Sequence, residues 1–305
     1  MPQRIHVHAL ATAAATLALM VLGSLVHGTG SSLACPDWPL CHGTVFPEMT
    51  HGVEFEHTHR LMALGVVVLV GTLLVRALRR TDRVAVRLAG LGCALVVVQA
   101  TLGGLTVIFR LPPAISIAHL ATSMTFLSVM VVLAVRLWPR ALAPDVGVGT
   151  GFALAALLVF VQIVFGAVVR HTGAVLACAG FPLCTGEVWP DAALARLQVI
   201  HRTLGALALV VAVGVGVSAA RRATTRNARI AALLPPVLAA LQVTLGLAVV
   251  LTYAPLDLVT LHHLGGALLL ASLVAAWALH LPTAAPAGNP LQAEVDRGVF
   301  EVASR

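Results

Sequence analysis

Lysine is absent from the chain, tyrosine occurs once, and charged residues of all kinds hold only 10% of its 305 positions. A water-soluble domain carries charge at about a quarter of its residues, so this composition excludes a soluble globular protein. Apolar residues fill 59% of the chain instead. The net charge of +7 comes entirely from arginine, set in short clusters beside apolar runs with no aromatic platform between them. That pattern excludes nucleic acid as a partner and leaves the lipid bilayer.

Eight stretches approach the 20 or so apolar residues that a membrane crossing requires. They run Val7–Val26, His59–Leu78, Val84–Phe109, Ala114–Val135, Thr150–Val169, Val199–Ala220, Ile230–Thr252 and Leu258–His280. The expectation is an all-α membrane protein of eight transmembrane helices. The first stretch resembles a signal peptide, but the residues after it lack a convincing cleavage site, and it is read as a retained span. Five, two and four arginines occupy the connections Arg76–Arg87, Arg136–Arg140 and Arg221–Arg229. The positive-inside rule makes these cytoplasmic, together with both termini, for a multi-pass protein of the cell membrane. The stretch from Pro282 to Arg305 reads as a loose cytoplasmic tail.

Two long connections, about 28–58 and 170–198, then lie on the outer face with Cys35, Cys41, Cys178 and Cys184. Four cysteines allow three pairings, of which the simplest closes each loop on itself, Cys35 to Cys41 and Cys178 to Cys184. Each pair reads either as a staple for its loop or as a redox group. Cys93 falls within a span and reads as a small buried hydrophobe.

The chain also repeats itself. Gly30-Ser31-Ser32-Leu33-Ala34-Cys35 and Pro39-Leu40-Cys41 return 143 positions later as Gly173-Ala174-Val175-Leu176-Ala177-Cys178 and Pro182-Leu183-Cys184. His59-Arg60 returns as His201-Arg202, Gln99 to Gly103 as Gln242 to Gly246, and His119 as His262. Four spans per half give both halves the same orientation, which implies two parallel-repeat four-helix bundles, residues 1–145 and 146–280, ahead of the tail at 281–305.

Of the thirteen histidines, His59, His119, His201 and His262 stand at matched positions near the outer ends of even-numbered spans. Ionisable groups at membrane depth are costly and mark function. A bundle offering two facing imidazoles suits the two axial positions of a haem better than a tetrahedral zinc site, because no carboxylate or cysteine completes the latter. Beside these histidines the halves diverge: Glu56 precedes His59 by three residues, whereas Gln198 holds that place before His201. A carboxylate there can take up protons or stabilise positive charge, and an amide can only hydrogen-bond. The alternative for Glu56 is a simple helix-terminal acid. Arg60 and Arg202 are open to haem propionates or to lipid phosphate.

The duplicated eight-span chain, Glu-x-x-His-Arg at the second span, paired histidines in both halves and a Cys-x5-Cys outer loop resemble the haem A synthase family from about His27 to His280. The resemblance implies oxidation of the C8 methyl of haem O to a formyl group by way of an alcohol, supplying haem A to terminal oxidases. It implies that His201 and His262 ligate a resident haem b through which electrons leave. It also implies that His59 and His119 face the substrate haem O, and that Glu56 is catalytic. His263 follows His262 directly, and the 143-residue shift favours His262 as the ligand. The resemblance further implies contact with haem O synthase and with terminal oxidase assembly. The rival reading is a di-haem cytochrome passing electrons between quinone and a partner, which leaves the Glu56/Gln198 difference without a role.

Overall fold

The computed structural model describes residues 5–79, 82–138, 146–184 and 186–281; the expected tail from Pro282 lies outside them. Eight helices carry the chain: α1 (Ile5–Gly28), α2 (Val53–Leu78), α3 (Arg83–Ile108), α4 (Pro113–Leu137), α5 (Val146–His171), α6 (Ala193–Arg222), α7 (Arg226–Leu251) and α8 (Leu256–Leu279). All eight have a stretch long and apolar enough to cross a membrane. Helices are the form such sequences take, because in hydrocarbon every backbone N–H and C=O must be satisfied within the segment. Turn chemistry sets the ends. The Asp82 carboxylate accepts from the Val84 and Ala85 amides, and the Thr225 hydroxyl accepts from Ala228. Pro112 and Pro113 open α4, where a missing N–H costs nothing.

Two helices begin six residues earlier than the apolar runs suggest. Helix α2 starts at Val53 rather than His59, and α6 at Ala193 rather than Val199. Their first turns carry Glu54, Glu56 and His57, or Arg196 and Gln198, so hydropathy alone places the start too late. As a result the histidines sit inside the bundle. His59, His119 and His262 are six residues from their helix starts and His201 eight, roughly 9–12 Å along the axis at 1.5 Å per residue.

Helix α1 packs against α2 and α4, and α3 joins α2 to α4, so the first four helices close a ring of contacts. Helices α5 to α8 close a second ring in the same order, and α1, α4, α5 and α8 meet between the rings. Helix α1, the span that resembled a signal peptide, is thus a full member of the bundle. One continuous core runs through both rings and includes Val70, Leu73, Met124, Leu127 and Met130 of α2 and α4 and Phe152, Leu270 and Leu273 of α5 and α8.

Backbone features recur at the same separation of 143. The α3–α4 turn places Arg110 and Leu111 in the left-handed region (φ 57° and 64°), and the α7–α8 turn does so with Tyr253 and Ala254 (62° and 59°). In each turn the second residue donates to a carbonyl five positions back, Leu111 to Thr106 and Ala254 to Val249, both at 2.7 Å. The two long loops, 29–52 and 172–192, expected on the outer face, share cis Trp38-Pro39 and Phe181-Pro182, and paired bridges Cys41–Thr44 and Cys184–Glu187. Disulfides Cys35–Cys41 and Cys178–Cys184 close the loops as the simplest pairing anticipates.

Candidate functional site

All four matched histidines lie at the end of the bundle covered by the two outer loops, and each faces a glycine on the preceding helix. A Cβ on Gly23 of α1 would stand 3.1 Å from His59 Cε1, and one on Gly103 of α3 would stand 3.2 Å from His119 Cε1. In the second ring the corresponding distances are 3.0 Å from Gly166 to His201 and 2.9 Å from Gly246 to His262. Any larger side chain would push into the imidazole, so the glycines let each ring approach the neighbouring backbone with its Cε1 edge foremost. Gly103 and Gly246 belong to the repeat noted in the sequence. Gly23 and Gly166 stand at the same shift of 143 and were legible by extending that comparison upstream.

His59 and His119 are close enough to interact electrostatically, and so are His201 and His262. His263 interacts instead with Arg170 of α5 as well as its neighbour, which leaves His262 as the partner of His201. The pairs differ in support. Gln162 of α5 places its amide nitrogen 3.1 Å from His201 Nδ1 and donates to the His201 carbonyl at 2.8 Å. Gln242 of α7 reaches His262 Nε2 at 3.4 Å and its carbonyl at 2.8 Å. In the first ring Leu19 occupies the place of Gln162, and the Nδ1 atoms of His59 and His119, like that of His262, are buried without a hydrogen-bond partner. Two facing imidazoles with unsatisfied buried nitrogens and glycine-cleared walls fit an axially ligated haem, which would occupy space that protein polar groups leave unanswered.

Glu56 does not cap its helix; the Gly52 amide is taken by Glu54. Its carboxylate, in a residue only 4% exposed, turns to the loop above. Oε2 accepts from the Cys35 amide at 2.8 Å and Oε1 from Arg60 Nη2 at 2.6 Å. A buried charge is tolerated when it is both paired and hydrogen-bonded in this way. Arg60 also donates to the carbonyls of Asp37 (2.7 Å), Cys35 (3.0 Å) and Leu40. In the second half Arg202 donates to Gly180 (2.7 Å) and Cys178, while Gln198 gives its N–H to Val175 at 2.8 Å and leaves Oε1 unpartnered. Both arginines therefore hold loop backbone, a role the sequence reading did not foresee because it depends on long-range folding of the loops.

The first loop has further anchors. Asp37 accepts from the amides of His42 (2.6 Å) and Gly43 (2.8 Å). The Gly43 amide, followed by that of His42 and the charge of Arg60, holds its carboxyl below the usual aspartate range. The Trp38 indole lies over Gly104, where a Cβ would come within 2.8 Å of the ring. The matching positions in the second half are Gly180, Phe181 and Leu247, so neither anchor is repeated. Pro36-Asp37-Trp38-Pro39, read from sequence as turn chemistry, thus also fastens the loop to α3.

Comparison with known families matches residues 6–274 to the cytochrome oxidase assembly protein family. Among curated proteins, one from Shouchella clausii named "Heme A synthase" is 33% identical, covering 83% of this chain and 89% of its own. Proteins of the same name from Shewanella oneidensis (28% identical; 85% of this chain, 91% of its own) and Alkalihalophilus pseudofirmus (29%; 69% and 74%) are also similar.

Proposed function

Because the chain belongs to the cytochrome oxidase assembly protein family, we propose that it is a haem A synthase, an oxidoreductase acting on haem O at the outer face of the cell membrane. Its two rings are a substrate half (1–145) and a cofactor half (146–280), related by a pseudo-two-fold axis along the membrane normal. The observation that carries this reading is the difference between otherwise matched histidine sites: only the first has a carboxylate, and only in the second do glutamine side-chain amides approach the imidazole nitrogens.

His201 and His262 would hold the resident haem b, with Gln162 and Gln242 steadying the helix turns that carry them by donating to the His201 and His262 backbone carbonyls. When bound, that haem supplies a one-electron acceptor. His59 and His119 receive the substrate haem O and set its C8 methyl toward the loop end. The methyl becomes a formyl group through an alcohol, one oxygen being taken from water and four protons and four electrons being released, the electrons leaving one at a time to the acceptor. Glu56 is the group that takes up protons as the methyl is oxidised, and Arg60 keeps its Oε1 in place. The Cys35 amide, on Oε2, ties that carboxylate to the loop. Gln198 has no acid–base capacity, which suits a half that only holds its cofactor. The arginine connections and both termini face the cytoplasm, and haem O synthase and the terminal oxidase assembly are the partners on either side of the reaction.

General acid–base groups contribute about 10²–10⁴-fold. Glu56→Ala and Glu56→Gln should keep the resident haem b spectrum while haem A formation falls about 100-fold or more, measured by chromatography of extracted haems. Normal haem A yield from both variants would remove Glu56 from the chemistry.

A further inference from the structure

The Cys35–Cys41 loop contains a third metal-ligand side chain that its counterpart lacks. His57 is 6% exposed, and a ring nitrogen, Cys35 Sγ and Cys41 Sγ all lie within 4.8 Å of one another. His57 Nδ1 is buried without a hydrogen-bond partner. An imidazole nitrogen left unanswered inside a protein is destabilising unless something occupies it. The second loop repeats the surroundings closely. Cys35, Cys41, Ala34 and Val53 become Cys178, Cys184, Ala177 and Ala195, but His57 becomes Val199. A disulfide staple therefore needs no histidine here, because the second loop is stapled without one.

We propose that, when its disulfide is reduced, the first loop binds one Cu(I) ion through Cys35 Sγ, Cys41 Sγ and an imidazole nitrogen of His57. Two thiolates and one imidazole make a soft donor set, which selects Cu(I) or zinc. Zinc in a closed site takes four protein ligands. Only these three ligating groups cluster here among the described residues, and the nearby Glu56 carboxylate is already engaged by Cys35 N and Arg60. Three-coordination suits Cu(I). Metal–sulfur bonds of about 2.3 Å and a metal–nitrogen bond of about 2.0 Å keep ligand atoms less than 5 Å apart; the imidazole nitrogen already lies within 4.8 Å of both sulfurs, and reduction of their bond frees the sulfurs to separate around the metal. The reduction is a thiol exchange: an external dithiol gives two electrons and two protons to the Cys35–Cys41 bond and departs as its own disulfide. Binding then releases the two thiol protons to solvent while copper stays Cu(I).

The full-length protein, carrying its haem, is reduced with a phosphine under argon and titrated with Cu(I) from its bicinchoninate complex. The wild type should bind one more Cu(I) than Cys35→Ser/Cys41→Ser, and X-ray absorption of that copper should show two sulfurs and one nitrogen. His57→Val, which copies the second loop, should weaken that copper at least tenfold and remove the nitrogen. His57→Met should restore affinity with a third sulfur in its place, and it carries the test if the valine variant fails to fold. Equal copper in the wild type and the double serine variant would overturn the proposal, as would a nitrogen ligand that survives in both His57 variants.

Discussion

At the scale of single residues, each histidine is defined by what faces it. Gly23, Gly103, Gly166 and Gly246 leave no room for a methyl group beside the four rings. Overpacking of this kind costs about 1–3 kcal/mol where the neighbours are held, or moves the ring where they are not. Gly166→Ala and Gly246→Ala should reduce the haem b retained through purification and shift its absorption spectrum. Gly23→Ala and Gly103→Ala should leave that spectrum unchanged and lower haem A formation. The two pairs therefore separate the halves by spectroscopy and product analysis, and a loss of resident haem from the Gly23 and Gly103 variants would reverse the assignment. The histidines and Glu56 were legible in the sequence because they recur, or fail to recur, at a shift of 142 or 143. Gln162 was not, because its counterpart is Leu19 and a repeat search rewards only matches.

At the scale of elements, the two outer loops share a backbone but not their fastenings. Arg60 and Arg202 hold the carbonyls in both, whereas Asp37 and the Trp38–Gly104 contact belong to the first alone. Asp37 binds protons less readily in the folded loop than in an unfolded chain, so its contribution to loop stability is complete above the ordinary aspartate range. It is lost as the pH falls through the lowered folded value. Amide protection at His42 and Gly43, corrected for intrinsic exchange, should therefore fall in acid, and Asp37→Asn should abolish that dependence. Protection that stays level in the wild type would show that the carboxylate does not hold this turn. The helices themselves were readable from apolar length. Their starts at Val53 and Ala193 were not, since polar first turns covered by a loop look like loop in a hydropathy pattern.

At the scale of the whole molecule, two rings share nearly the same skeleton, and the proposed function gives them unlike tasks. Matching turns at Arg110-Leu111 and Tyr253-Ala254 fix the skeleton, and a few exchanged side chains distinguish the sites. Glu56 for Gln198 brings an acid, Leu19 for Gln162 releases a ring, and His57 for Val199 adds a ligand. A cytochrome with two equivalent haems has no use for these exchanges. The deciding measurement is the mass of the haems extracted from the purified protein after it has been supplied with haem O. Retained haem b together with the formyl product haem A is the expected result. Two unmodified haems b per chain, with haem O returned unchanged, would contradict it.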